Sequence, residues 1–231
     1  GGGRTGSTRT RMLFAGNYSA QRDAIEFVTV HSKGNSTDFG NLSVARYGTD
    51  SSGTATSALA AGGYSQPASS EVANVEEFAA NAPVGVWSSA PSLNTARQGL
   101  MGFGSTTSAA IATGGDGSGG FKTETESFDG SSWTEVNDLN TARYNFQAAG
   151  GTDSTTALCV SGYTSTRVAN TESWNGSSWT EVADLATARS GAGVGGSMTA
   201  AVASGGSVPP VSTITEEFTA ADFQIKTVTQ S

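Results

Sequence analysis

A chain of 231 residues with 36% hydrophobic content is long enough to bury a sizeable core, and 14% charged content is too little for charge-driven disorder. A formal net charge of -8, with its 12 Lys and Arg residues scattered, argues against nucleic acid as a partner, because phosphate binding needs a concentrated basic surface. The single cysteine, Cys159, excludes an intrachain disulfide, and the lack of a long apolar run predicts no membrane insertion. The 31 glycines, with abundant Ser and Thr, suit short strands joined by many turns.

The predicted elements come round in a repeating order. The first unit, residues 1–44, carries the basic cluster Arg4, Arg9 and Arg11, the run MLFAGNY, an acidic-aromatic step at Phe27 and a later Phe39. The second, 45–95, has ALAAGGY, Phe78 and, after an insertion reading NAPVGVW, Trp87. The third, 96–141, has AAIATGG, Phe128 and Trp133, and the fourth, 142–187, has ALCVSGY, Trp174 and Trp179. The fifth, 188–231, has AAVASGG, Phe218 and Phe223. An arginine ends each of the segments DFGNLSVAR, WSSAPSLNTAR, WTEVNDLNTAR and WTEVADLATAR, giving Arg46, Arg97, Arg143 and Arg189.

Each unit reads as four strands: a small-residue stretch after the Arg, an apolar run into Gly, an acidic-aromatic strand, and a strand from the Trp position onward. Asp129-Gly130 and Asn175-Gly176 predict type I′ hairpin turns between the last two. Trp179-Thr180-Glu181-Val182 reads as a half-buried strand with Trp and Val on one face. Four strands repeating every 46 residues or so form the unit of a propeller, since one such sheet cannot bury both faces alone. The expectation is an all-β chain forming a single β-propeller domain over 1–231, with five four-stranded blades. Small inner-strand residues fit the crowding of so narrow a ring.

The apolar run into Gly-Gly (Gly62-Gly63, Gly114-Gly115, Gly205-Gly206), the acidic-aromatic step, the spaced Trp and the later Arg together resemble the kelch repeat over essentially the whole chain. Gly16-Asn17 and Ser161-Gly162 depart from it. GNSTDFGNLSVARYG and TESWNGSSWTEVADLATAR further resemble repeats in kelch-like virion proteins of tailed phages infecting marine cyanobacteria. That resemblance implies a structural or adhesive component of a fibre, tail or capsid surface, located in the extracellular particle. Its implied partners are other virion proteins, copies of itself, or a host-surface glycan. The alternative is a secreted bacterial propeller lectin or carbohydrate-active enzyme.

Candidate site residues divide by whether they follow the repeat. Arg46, Arg97, Arg143 and Arg189 read either as a ring of cations for an anionic glycan or as structural pairs, with Glu126 and Glu172 as candidate partners. Recurrence in register favours pairing. Trp133 and Trp179 read as core, with Phe223 as their counterpart, while Trp87 is displaced by its insertion. Cys159 lies in an apolar run and reads as a small buried hydrophobe. With one Cys and one His (His31), no soft-metal or Cys/His catalytic cluster can form within the chain. GGDGSGG, residues 114–120, lacks the Lys and helix of a phosphate loop and reads as a turn, with loose Ca²⁺ binding through Asp116 the sharper option. The expectation is a non-enzymatic protein without cofactors.

The start of the chain carries one further expectation. Gly1-Gly2-Gly3 aligns with the tail of a first strand, as in Gly150-Gly151 and Gly195-Gly196. One blade should therefore lack most of its inner strand, to be supplied by upstream residues or by another chain. The missing initial Met predicts a processed chain or part of a longer polypeptide.

Overall fold

The computed structural model describes residues 3–7, 11–17, 22–29, 37–54, 57–79, 86–150, 153–208 and 213–220. The described residues are all-β, with no helix, and fall into several small antiparallel sheets that follow one another in chain order. The first sheet holds Gly3–Ser7, Arg11–Asn17, Arg22–Thr29 and Thr37–Asn41. The second holds Asp50–Thr54, Ser57–Ala61, Val75–Ala79 and Val86–Ala90. The third holds Met101–Thr106, Ala109–Thr113, Thr125–Phe128 and Trp133–Val136. The fourth holds Gln147–Gly150, Ala157–Val160, Thr171–Trp174 and Trp179–Glu181. Three described strands, Gly193–Gly196, Ala200–Ser204 and Thr215–Thr219, make the fifth. Within each, neighbours in sequence pair as antiparallel neighbours, so every connection is short.

The expectation of a missing inner strand is wrong. Gly3–Ser7 pairs with Arg11–Asn17, placing Thr5 opposite Leu13 as Gly104 stands opposite Ala110. Leu13 in turn faces Phe27 as Ala110 faces Phe128. Matching glycine to glycine had shifted the register; strand pairing, not glycine position, sets it. Arg4 and Arg11 sit on these paired strands, opposite Phe14 and Thr29.

Two local expectations also change. Phe128 pairs with Trp133 and Trp174 with Trp179, leaving four-residue loops rather than two-residue I′ turns. Gly130 and Gly176 have positive φ while Asp129 and Asn175 do not. The Asp129 carboxylate accepts the backbone N–H groups of Ser131 and Ser132, both at 2.8 Å, and Asn175 Oδ1 does the same for Ser177 and Ser178. The serines make a capped loop cheaper than the tight turn. Trp and Val do not share a face either: Trp179 belongs to the core between the third and fourth sheets, whereas Val182 packs against that between the fourth and fifth. Alternation puts residues three apart on opposite faces.

The core lies in the seams between successive sheets. Leu59, Val75, Leu93 and Leu100 meet Ala110, Ala112, Phe128 and Trp133 in one seam; Phe103, Ile111 and Leu139 meet Ala157, Cys159, Trp174 and Trp179 in the next. Small residues on one face thus let the aromatic pair of the following sheet seat against large aliphatics of the preceding one. Leu59, Ile111 and Leu158 occupy the same register position and are 1%, 2% and 0% exposed; Val202, their counterpart on the fifth sheet, is 42% exposed.

Near the inner strands a second pattern joins the units. Gly99 N–H donates to Gly48 O at 2.8 Å, Asn145 N–H to Gly99 O at 3.2 Å, and Gly191 N–H to Asn145 O at 2.9 Å. All four residues have φ between 54° and 67°, which explains three glycines and an asparagine.

Candidate functional site

The repeat arginines are buried and paired. Arg46 Nη1 lies 3.0 Å from Glu76, Arg97 Nη2 2.8 Å from Glu126, Arg143 Nη2 2.6 Å from Glu172, and Arg189 pairs with Glu216. All four arginines are 0% exposed. The guanidinium groups of Arg97, Arg143 and Arg189 also donate to carbonyls near the ends of the second and third strands, as Arg97 does to Ala112 O and Glu124 O and Arg143 to Ser161 O and Asn170 O. Among the described residues Arg46 donates to Ala60 O of the second strand alone. Burial pulls the pKa values of Arg46 and Arg97 below the ordinary arginine value, and the paired carboxylates pull them back.

These clamps also hold the connections between sheets. Glu126 accepts the N–H groups of Asn94 and Thr95, Glu172 those of Asn140 and Thr141, Glu76 that of Ser43 and Glu216 that of Ala186. The carbonyl of Arg97 meanwhile accepts Gly63 N–H at 2.8 Å and that of Arg143 accepts Gly115 N–H at 2.9 Å, reaching back to the preceding sheet. Gly62, beside Gly63, has φ +61°, and a Cβ there would stand 2.5 Å from Arg97 O. Every arginine and glutamate of this arrangement is engaged by the scaffold, although the Nε of each of the four arginines has no hydrogen-bond partner among the described residues. Glu76 and Glu216 are partners that the sequence reading did not name, although each stands two residues before the aromatic of its unit, like Glu126 and Glu172. In the first unit that position is Ile25.

The tryptophans are likewise internal. Trp133 and Trp179 are 7% and 6% exposed; Trp133 stacks on Phe128 at 4.9 Å, Trp179 lies tilted against Trp174 at 5.2 Å, and the two donate to Pro91 O and Thr125 Oγ1. Trp87 is half-buried against Phe78. Phe223, His31 and Arg9 lie outside the described residues. Cys159 is buried, and desolvation pushes its thiol pKa up to about 12, so it holds neither a reactive nucleophile nor an accessible ligand. Among the described residues no three His, Cys, Asp or Glu side chains gather as a metal site.

At one end short hairpins follow the second strands, repeating in place while their side chains differ. Tyr64–Ser65 pairs with Ser70–Glu71, Asp116–Gly117 with Gly120–Phe121, and Tyr163 bridges to Arg167. GGDGSGG is therefore mostly a hairpin, and the N–H groups of Gly114 and Gly115 are taken by Glu124 O and Arg143 O rather than turned toward a ligand. Residues beside the inner strands pair with these hairpins: Tyr47 with Tyr64, Gln98 with Asp116, Tyr144 with Tyr163, Ser190 with Ser207. Equivalent positions thus alternate between aromatic and polar pairs.

The rings form two groups along this rim. Tyr47 and Tyr64 lie 5.4 Å apart. Phe121 stacks on Tyr144 at 5.0 Å and 12°, and Tyr163 stands nearly perpendicular to both at 6.0 and 5.6 Å. All five rings are half-buried. Between the groups sit Glu71, Gln98 and Asp116, with Gln98 Nε2 3.4 Å from Glu71 Oε1. Burial and the nearby Glu71 raise the Asp116 pKa above the usual aspartate value. Flat apolar faces beside carboxylates and an amide can hold a ligand with one apolar face and a hydroxyl edge. The signal available in sequence was at Asp116 and Phe121, which stand where the neighbouring units have Tyr64 and Tyr163 with their partners Glu71 and Arg167.

No family model matches the chain, and no curated protein matches it. Among solved structures the chain is similar to YjhT, a β-propeller-like protein, at 12% identity and a TM-score of 0.71, with 89% of this chain and 73% of that one covered. At that identity the likeness is one of fold, and it agrees with small antiparallel sheets following one another in order.

Proposed function

We propose that the chain is a kelch-like propeller of five blades serving as a non-enzymatic structural or adhesive virion protein of a tailed phage, in a fibre, tail or capsid surface. The contrast between clamps that recur in four units and a rim whose equivalent pairs change from unit to unit carries the reading. A scaffold keeps its repeat symmetry, and here the four Arg–Glu pairs do so; a recognition surface departs from it, as the alternating aromatic and polar pairs do. The rim faces a protein partner or a host-surface glycan, and copies of the chain or other virion proteins hold the scaffold in the particle. Antibodies raised against the 231-residue chain test this on particles from phage carrying its coding sequence. Gold labelling of intact virions is expected. Recovery of the chain solely from the particle-free lysate overturns the reading.

One observation favours the alternative of a secreted bacterial propeller lectin or carbohydrate-active enzyme: Glu71 and Asp116 are neighbouring carboxylates at positions the other units do not share. Release of reducing sugar by the purified chain, abolished by Asp116→Asn, would select it.

A further inference from the structure

The rim rings are oriented by one another before any ligand arrives. Phe121, Tyr144 and Tyr163 fix their mutual geometry through one stacked and two perpendicular contacts, yet each stays partly open to solvent. Fully internal aromatics in this chain look different: Trp133, Trp174 and Trp179 are 7%, 1% and 6% exposed. A preorganised aromatic surface loses little conformational freedom on binding. Beside it, Glu71 and Asp116 supply acceptors and Gln98 both a donor and an acceptor.

We propose that this rim binds a neutral oligosaccharide, with Phe121, Tyr144 and Tyr163 as the platform for the C–H face of a sugar ring and Glu71, Gln98 and Asp116 as partners for its hydroxyls. The inference deepens the adhesive reading and rests on it for its setting. Charge selects among glycans. Two carboxylates close enough for Glu71 to raise the Asp116 pKa, on a chain of net charge -8, oppose a sugar acid and accept hydrogen bonds from hydroxyls. Lys122 is turned back, with Nζ donating to Ser118 O and lying 3.7 Å from Glu124, and Arg167 Nη2 donates to Ser207. Lys122 is thus offset by a carboxylate, whereas Arg167 meets only the Ser207 hydroxyl, so the discrimination against an anionic ligand rests on Glu71 and Asp116. A purely apolar protein patch would leave the two carboxylates desolvated and unmatched.

The test titrates the whole chain with a panel of neutral oligosaccharides and with their uronic-acid-containing counterparts, following ligand NMR signals and heat. Binding of a neutral member, little changed by added salt, is expected, with weaker binding of the acidic counterpart. Phe121→Ala and Tyr163→Ala should each weaken it by about tenfold, the loss of one good aromatic contact. Asp116→Asn, which preserves shape, should narrow the preference for neutral over acidic sugar while leaving thermal unfolding unchanged. No binding across the panel, or wild-type affinity in both aromatic variants with unchanged unfolding, overturns the site. Virion labelling remains separate: sugar binding lost with labelling intact removes the rim site alone, and sugar binding without labelling removes the virion role alone.

Discussion

Arg143 and Glu172 meet at 2.6 Å with both side chains out of solvent, while the Arg143 backbone carbonyl accepts Gly115 N–H from the preceding sheet. One residue therefore holds two sheets, the fourth by its guanidinium and the third by its main chain. Removing one partner strands a buried charge, which costs about 3–5 kcal/mol. Arg143→Ala and Glu172→Ala should each lose that much in denaturant unfolding. A paired Arg143→Met, Glu172→Leu variant should lose less than the sum of the two, the remaining loss coming from the Asn140 and Thr141 N–H groups and the Ser161 and Asn170 carbonyls left without partners. Additive losses in the double variant would show that the pair is not coupled.

Trp133→Ala should destabilise by about 3–5 kcal/mol, the range for truncating a large aromatic in a core. Its ring is 7% exposed, packed beside Phe128, and donates to Pro91 O. A shift in unfolding midpoint no larger than that of a surface substitution would contradict this packing.

Register-equivalent aliphatics should behave unequally. Leu158→Ala, at a position 0% exposed, should cost about 2–5 kcal/mol, whereas Val202→Ala, at 42% exposure, should stay within about 0.5 kcal/mol. Chemical denaturation of the two variants side by side measures the difference. Equal losses would mean that the fifth sheet's outer face is covered in solution.

Backbone and side-chain hydrogen bonds from Ser131 and Ser132 hold the Asp129 carboxyl down at about 2. Because this folded pKa lies below that of the unfolded chain, near about 4, the stabilisation is complete above about pH 4 and is lost as pH falls through about 2. Asn175 makes the equivalent contacts without a titrating group. Asp129→Asn should therefore match the wild type at neutral pH and flatten its acid slope. Melting curves across that window provide the check, and an unchanged slope counts against it.

With its thiol pushed up to about 12 by burial, Cys159 should resist a thiol reagent at mildly alkaline pH in the folded chain and react freely in denaturant. Native labelling at the rate of a free thiol would place it outside the core.

Much of the scaffold was legible because repetition compares a sequence with itself. Arg97, Arg143 and Arg189 recur at a constant interval, and the glutamate two residues before each aromatic could be aligned from Phe78, Phe128, Trp174 and Phe218. Local geometry was harder. The first sheet was misaligned because glycines mark both strand ends and bulges, and Gly6 sits where the pairing shifts between Thr5 and Ser7. The Asp129 loop was misread because the dipeptide Asp-Gly was weighed without the two serines that follow it. The rim stayed hidden for a further reason: Phe121 and Tyr144 are 23 positions apart in different units, and nothing periodic links them.

The ladder from Gly48 through Gly99 and Asn145 to Gly191 has a direction, since each later unit donates its N–H to the carbonyl of the one before. Such a ladder is polar, with an acceptor sense toward one end and a donor sense toward the other. In a ring of blades such a ladder runs head to tail, so every seam presents an N–H from one side to a carbonyl on the other, and a blade turned end for end would set like groups against each other.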